Sequence, residues 1–166
     1  MSPSGVFVVH EHHASRLHFD FRLEMDGVLK SWAIPKGPSM NPADKRLAVM
    51  VDDHPLGYGE FEGIIPKGRY GAGEVVIWDR GTYTVLGGTD PAVQLKAGSL
   101  KFRLEGQRLR GDFAMVKLKG PRTTGKEWLL IKKADQDADP SFRLESALTP
   151  SKRKQLKALV PPCDTS

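Results

Sequence analysis

His18, Asp20 and Arg22, spaced two apart, are the residues whose types and spacing most suggest chemistry. On an extended strand, alternate side chains share a face. An imidazole, a carboxylate and a guanidinium then stand in a row, with Leu17, Phe19, Phe21 and Leu23 on the apolar opposite face. His and Asp ligate divalent metals, and Arg binds phosphate or carboxylate. A merely charged, solvent-facing strand would show the same pattern, so neighbouring donors matter. His10, Glu11, His12 and His13 precede the strand. A short loop at residues 14–16 could bring one imidazole back over His18 and Asp20. Spacing alone does not separate His10, His12 and His13. Two His and one Asp leave coordination positions open for water or substrate, and they suit Mn²⁺, Fe²⁺ or Zn²⁺ better than Ca²⁺.

Other candidates surround this set. His54 lies at a predicted strand end before Pro55 and could act as a general acid or hold an oxyanion. Arg46 opens the same strand and could join Arg22 on a phosphate. The Tyr58 phenol could hydrogen-bond that phosphate, or its ring could pack. The glycine-rich run at residues 66–73 lacks the Lys-Ser/Thr ending of a phosphate-binding loop and leads into a strand, so it reads as a tight turn. Lys67 and Arg69 could still touch a nucleic-acid backbone. There is no Gly-x-Ser-x-Gly, and the single Cys163 is terminal, so serine or cysteine nucleophiles have no support.

Period-two segments must position these groups. Strands are predicted at residues 7–9, 17–23, 28–34, 47–51, 74–78, 82–85, 100–104, 109–118 and 128–131, with residues 79–81 and 105–108 as turns. The 17 Gly and 12 Pro sit between these runs. Many short strands argue for a β-barrel or sandwich. Helix is expected only at residues 91–97 and 150–159, the latter with Thr149 as N-cap and Pro150 next. The tail from residue 160 is expected to fray.

The chain has 166 residues, 39% hydrophobic and 27% charged, which excludes disordered and collagen-like classes. One domain is expected, covering residues 1–166. With one Cys, a disulfide framework and a Cys-rich zinc module are excluded. No stretch is apolar enough to span a membrane, and residues 1–13 do not resemble a secretory signal, so a cytoplasmic protein is expected. Net charge is +5, and residues 99–166 carry 15 basic against 8 acidic side chains. All five His lie in the first third, so a candidate site and an electrostatic handle for a polyanion are separate in sequence.

Residues 7–24 (FVVHEHHASRLHFDFRLE) closely resemble the 3′-phosphoesterase domain of the bacterial DNA ligase D family. The resemblance continues through GVLKSWAIPKGP (27–38), KRLAV (45–49), DHPL (53–56), EFEGIIP (60–66) and YGAG (70–73). It fades through Gly106, Leu109 and Gly111 to WLLIK (128–132). It implies a mainly β protein, a compact antiparallel β-barrel with short flanking helices, its core at about residues 5–135. Residues 136–166 would form a basic C-terminal helix and tail. It implies a divalent metal, typically Mn²⁺, on His12, His18 and Asp20. Arg22, Arg46 and His54 would engage the scissile phosphate, with Tyr58 and Lys36 as further active-site positions. The implied substrate is a DNA or RNA-tipped DNA 3′ end. A terminal ribonucleoside is removed to leave a 3′-phosphate, which is then hydrolysed to a 3′-hydroxyl. His10 stands where the family usually has another polar residue and could be a spare ligand. The sequence has no polymerase or ligase segment and no longer polar N-terminal arm, so a stand-alone, monomeric phosphoesterase is expected. The implied partners are a Ku-like end-binder and separate ligase and polymerase.

Two rival readings follow from the residues. His-x-Asp with a distant His54 also matches a non-haem Fe(II) oxygenase site. A catalytically silent nucleic-acid-binding barrel would use only the basic C-terminal third.

Overall fold

A computed structural model describes residues 4–162; Cys163 and the first three residues of the N-terminal stretch lie outside them. Nine strands follow in sequence: β1 (Ser4–His13), β2 (Leu17–Met25), β3 (Val28–Ile34), β4 (Lys45–Pro55), β5 (Gly63–Ile65), β6 (Gly73–Val85), β7 (Ser99–Glu105), β8 (Arg110–Lys117) and β9 (Glu127–Lys132). A 3₁₀ turn (Leu56–Glu60) follows β4, and α1 (Pro91–Ala97) and α2 (Pro150–Gln155) are the short helices. The sheet order is β1-β2-β3-β4-β9-β8-β7-β6-β5, and β1 also pairs with β6. That last pairing closes eight antiparallel strands into a barrel, with β5 added along β6. Closure leaves β1 and β6 without a bare edge along their paired residues.

The barrel interior is aromatic. Phe7, Phe21, Trp32, Phe102, Phe113 and Trp128 are all essentially inaccessible to solvent. Burying side chains of this size stabilises by about 1.5–3 kcal/mol each. Phe102 stacks on Phe113 with their ring planes only 9° apart.

The strand expected at residues 28–34 and the helix at 91–97 have those bounds in the structure. Elsewhere four differences bear on the site. The His10–His13 tract is strand, since β1 pairs on both sides, with β2 and with β6. Residues 79–81 do not turn but run through the middle of β6. Their turn-like composition serves close approach instead. A Cβ on Gly81 would sit 2.1 Å from the Glu105 carbonyl oxygen. The Asp79 carboxylate accepts from the backbone amides of Gln107, Arg108 and Leu109, capping the β7–β8 turn. The helix expected to reach residue 159 ends at Gln155, because the next backbone pairs with β5. The Ile64 amide donates to the Lys157 carbonyl at 2.8 Å, and the Leu159 amide to Ile64 at 3.0 Å. Finally, β5 and the 3₁₀ turn are elements the sequence pattern does not signal.

Packing extends beyond residue 135. Phe142, Leu144 and Ala147 pack against the barrel core, and Leu148 is buried. The fully buried Glu11 carboxylate holds this segment. It accepts from the Ala147 amide at 2.6 Å, from the Ser146 hydroxyl, and from His13 Nε2 at 2.6 Å.

Candidate active site

Register builds the site. His12 lies opposite His18, and His10 opposite Asp20. On the other side of β2, Arg22 lies opposite Ser31. One face of β1–β3 therefore carries His10, His12, His18, Asp20, Arg22 and Ser31. The other carries Phe7, Val9, Phe19, Phe21 and Trp32, all core. The apolar face expected on residues 17–23 begins at Phe19, since Leu17 at the strand's start is exposed. The polar face is not solvated: Arg22 is 1% exposed and Asp20 6%. The 3₁₀ turn covers it. The Tyr58 ring lies over the Arg22 guanidinium at 4.7 Å and meets the His10 and His54 rings.

His12, His18 and Asp20 place their donor atoms within 4.8 Å of one another. His12 Nε2 donates to the Gly71 carbonyl at 2.7 Å, and His18 Nδ1 to the Arg16 carbonyl at 3.2 Å. A carbonyl only accepts, so both outer nitrogens carry hydrogen. The inner nitrogens, His12 Nδ1 and His18 Nε2, face Asp20 Oδ2 at 3.6 and 3.2 Å. Three electron-pair donors that converge in this way need a cation or a proton between them. Outer-shell carbonyls that fix imidazole orientation are typical of metal sites. The donor set therefore fits a divalent metal. Burial opposes the Asp20 charge, but the His12 and His18 hydrogen bonds and the Arg22 charge outweigh it and hold the carboxyl far below the usual range. The bond to Asp20 raises the His18 pKa above its ordinary value.

The other imidazoles are engaged elsewhere. His13 and Glu11 point to the opposite face. His10 Nε2 donates to the Phe61 carbonyl at 3.1 Å, and its Nδ1 accepts from Arg22 Nε at 3.0 Å. Burial, then the Arg22 charge, lowers its pKa to about 3. His10 is thus a neutral support for Arg22 rather than a spare ligand.

Arg22 is held on nearly every side. Its Nη1 donates to Ser31 Oγ at 2.8 Å and reaches His54 Nδ1 at 3.1 Å. Its Nη2 makes only a long 3.4 Å contact with Asp20. Nη2 is thus the least engaged nitrogen of the fork. His54 Nδ1 also lies 3.0 Å from the Asp52 carbonyl. One nitrogen cannot accept from Arg22 and donate to that carbonyl together. Arg22 keeps its protons, so when that bond is made the His54 hydrogen lies on Nε2. Burial and the Arg22 charge lower the His54 pKa, favouring the neutral ring.

These groups line one cavity of about 400 Å³, with His12, His18, Asp20, Arg22, His54 and Tyr58 on its wall and Tyr70, Gly71 and Pro161 at its margin. Arg46 and Lys36 are not among the lining residues. Arg46 Nη2 lies 3.4 Å from Asp44, its Nε is buried without a hydrogen-bond partner, and Lys36 is exposed in the turn after β3. The basic C-terminal third does approach the site. Lys152 pairs with Glu62 and Arg153 with Glu74, which brings the following segment to the cavity margin.

Sequence reasoning missed Ser31, Gly71 and the role of His10. A signal for Ser31 existed. Asp26 and Gly27, both at positive φ, form a two-residue hairpin turn, which sets Ser31 opposite Arg22.

Residues 10–117 match the family described as the DNA ligase D 3′-phosphoesterase domain, and the chain belongs to that family. It is 52% identical over 134 residues to the multifunctional non-homologous end joining protein LigD of Pseudomonas aeruginosa, covering 80% of this chain and 15% of that protein. It is 45% identical over 143 residues to the Mycobacterium tuberculosis LigD, covering 86% and 18%. Against the Mycolicibacterium smegmatis LigD it is 40% identical over 163 residues, covering 90% and 20%. The chain thus spans a fifth or less of the curated relatives it matches. Among the described residues, no helix is long and apolar enough to cross a membrane.

Proposed function

We propose that this chain is a metal-dependent phosphoesterase that heals DNA 3′ ends, hydrolysing a 3′-phosphate to a 3′-hydroxyl and removing a 3′-terminal ribonucleoside beforehand. The observation that carries the reading is the placement of two functions on one cavity wall. His12, His18 and Asp20 converge as ligands beside Arg22 and His54, a buried cationic fork and an imidazole. Mn²⁺ is the proposed metal, and when bound it would polarise a phosphate oxygen as a Lewis acid. Arg22 Nη2 would then neutralise phosphate charge from a position that His10, Ser31 and Tyr58 fix in advance, which lowers reorganisation in the transition state. His54 Nε2–H would donate to a phosphate oxygen or to the leaving oxygen. Tyr58 keeps water from Arg22. The roles of Arg46 and Lys36 rest on family resemblance alone. DNA ends joined in concert with a Ku-like protein, a ligase and a polymerase are the proposed setting, by analogy with the end-joining relatives.

The test uses labelled primer–templates ending in a 3′-phosphate or in one 3′-ribonucleotide, incubated with Mn²⁺ or with EDTA. Metal-dependent conversion of the 3′-phosphate to 3′-hydroxyl is expected, as is trimming of the ribonucleotide end. Salt-sensitive binding without turnover of either would replace this reading with the silent binding module. Oxygen uptake with a 2-oxo acid and no phosphate release would favour the oxygenase.

A further inference from the structure

Tyr70 has full solvent exposure, with a relative accessibility of 102%, yet lies at the margin of the cavity that holds the metal ligands and Arg22. A phenol ring in that state packs against nothing and adds nothing to the core. The backbone that carries it is nonetheless held. The β5–β6 loop is two successive tight turns, closed by Arg69 N to Pro66 O at 3.3 Å and Ala72 N to Arg69 O at 3.2 Å. Gly68 and Gly71 supply the positive φ values of 88° and 75° that these turns need. The next carbonyl along, that of Gly71, is the one that orients His12. The Tyr70 backbone therefore adjoins the residue whose carbonyl orients His12. Lys67 is exposed on the same loop, and Arg69 is half-buried there. An aromatic face with neighbouring cations on a glycine loop is the composition of a single-strand nucleic-acid platform, where base stacking is tolerant of sequence.

We propose that Tyr70 stacks on the terminal nucleobase of the strand whose 3′-phosphate enters the cavity, making it a substrate-positioning residue. This inference rests on the phosphoesterase reading above and extends it to recognition of the nucleoside. On the cavity wall, His12, His18 and Asp20 are taken up by the ligand cluster and Arg22 and His54 by the phosphate. A platform at the margin would hold the nucleoside while leaving those groups to the phosphate. It would be indifferent to base identity, as a general end-healing activity requires.

The test compares wild type with Tyr70→Ala and Tyr70→Phe on two oligonucleotides, one ending in an ordinary 3′-phosphorylated nucleotide and one in a 3′-phosphorylated abasic (tetrahydrofuran) residue. Tyr70→Ala is expected to raise KM on the ordinary substrate by roughly 10-fold or more, with kcat changed less. It should leave the abasic substrate unaffected, and Tyr70→Phe should behave as wild type. The melting temperature should not move, since the ring is unpacked. A second readout needs no turnover. In EDTA, a 3′-terminal 2-aminopurine should be quenched on binding wild type and Tyr70→Phe but not Tyr70→Ala. Unchanged kinetics and unchanged quenching in Tyr70→Ala would overturn the proposal, as would equal losses on both substrates. Absence of turnover by wild type would overturn the phosphoesterase reading instead, and the quenching comparison would still decide the role of Tyr70.

Discussion

Asp20 is a carboxylate kept charged in a nearly dry place, and two of the three groups that keep it charged, His12 and His18, would share a metal with it. Replacing it by Ala removes a ligand and the counter-charge to Arg22. Turnover is expected to fall by at least roughly 100-fold, the scale of losing metal-assisted charge stabilisation, and circular dichroism should still report the native barrel. A metal must also displace the proton that Asp20 encourages on His18, whose pKa is raised. Apparent Mn²⁺ affinity should therefore fall by about tenfold per pH unit below that pKa. Calorimetric titrations at a series of pH values would show it, and a flat profile would remove His18 from the ligand set. His10 behaves in the opposite sense. Its pKa drops from 6.5 to about 3, so between those values the unfolded chain binds the extra proton and the metal-free fold loses stability as pH falls. His10→Gln retains one acceptor for Arg22 and one donor for Phe61, and should flatten that loss in pH-dependent melts. His10→Leu leaves Arg22 Nε buried without a partner and should cost about 2–4 kcal/mol. The His18, Asp20, Arg22 row could be read from sequence because it needs only a period of two. His10 could not, since its second partner is the carbonyl of Phe61, 51 residues away.

At the scale of elements, the strands do more than alternate. β1 carries His10 and His12 towards the site and Glu11 and His13 towards the C-terminal segment, so one strand both presents chemistry and secures the fold. The sequence pattern showed apolar alternation in β2 and missed the strand character of the His tract, because polar residues on both faces of β1 hide the period. Asp79 shows the converse error. Asp-Arg-Gly reads as a turn, but the strand is held extended by its partners, and the carboxylate caps a turn elsewhere. It accepts from Leu109 N at 2.7 Å and Gln107 N at 2.9 Å, and a Cβ on Gly106 would approach its Oδ2 to 2.5 Å. Asp79→Ala strands three buried or half-buried amides and is expected to cost roughly 2–4 kcal/mol. Urea unfolding would measure it, and a loss under about 0.5 kcal/mol, the level of an ordinary surface change, would show that water replaces the cap.

For the whole molecule, strand spacing and turns made an all-β barrel or sandwich readable and the family resemblance narrowed it to a barrel, whereas the part that residues 142–148 play was not readable. The apolar residues among 142–148, Phe142, Leu144, Ala147 and Leu148, follow neither a strand nor a helix period throughout, and their value lies in where Glu11 and Trp78 hold them. Trp78 Nε1 donates to the Glu145 carbonyl at 2.6 Å. A chain ending after residue 140 would expose the core beneath Phe142 and Leu144 and leave Glu11 buried with His13 as its remaining side-chain partner. That loss should approach about 5 kcal/mol, a large share of a typical domain's stability, and should abolish the cooperative melt. A chain ending after residue 149 should keep it. The closing pair of the barrel also sets an order in time. His12 and His18 face each other across a hairpin whose loop is three residues, residues 14–16, and such a contact forms within microseconds. The β1–β6 seam joins residues more than sixty positions apart, a far slower event. The His12–His18 pair is thus assembled by an early, local step of folding and enclosed by one of the slowest, so a divalent ion present while the chain emerges would meet both imidazoles before the barrel exists around them.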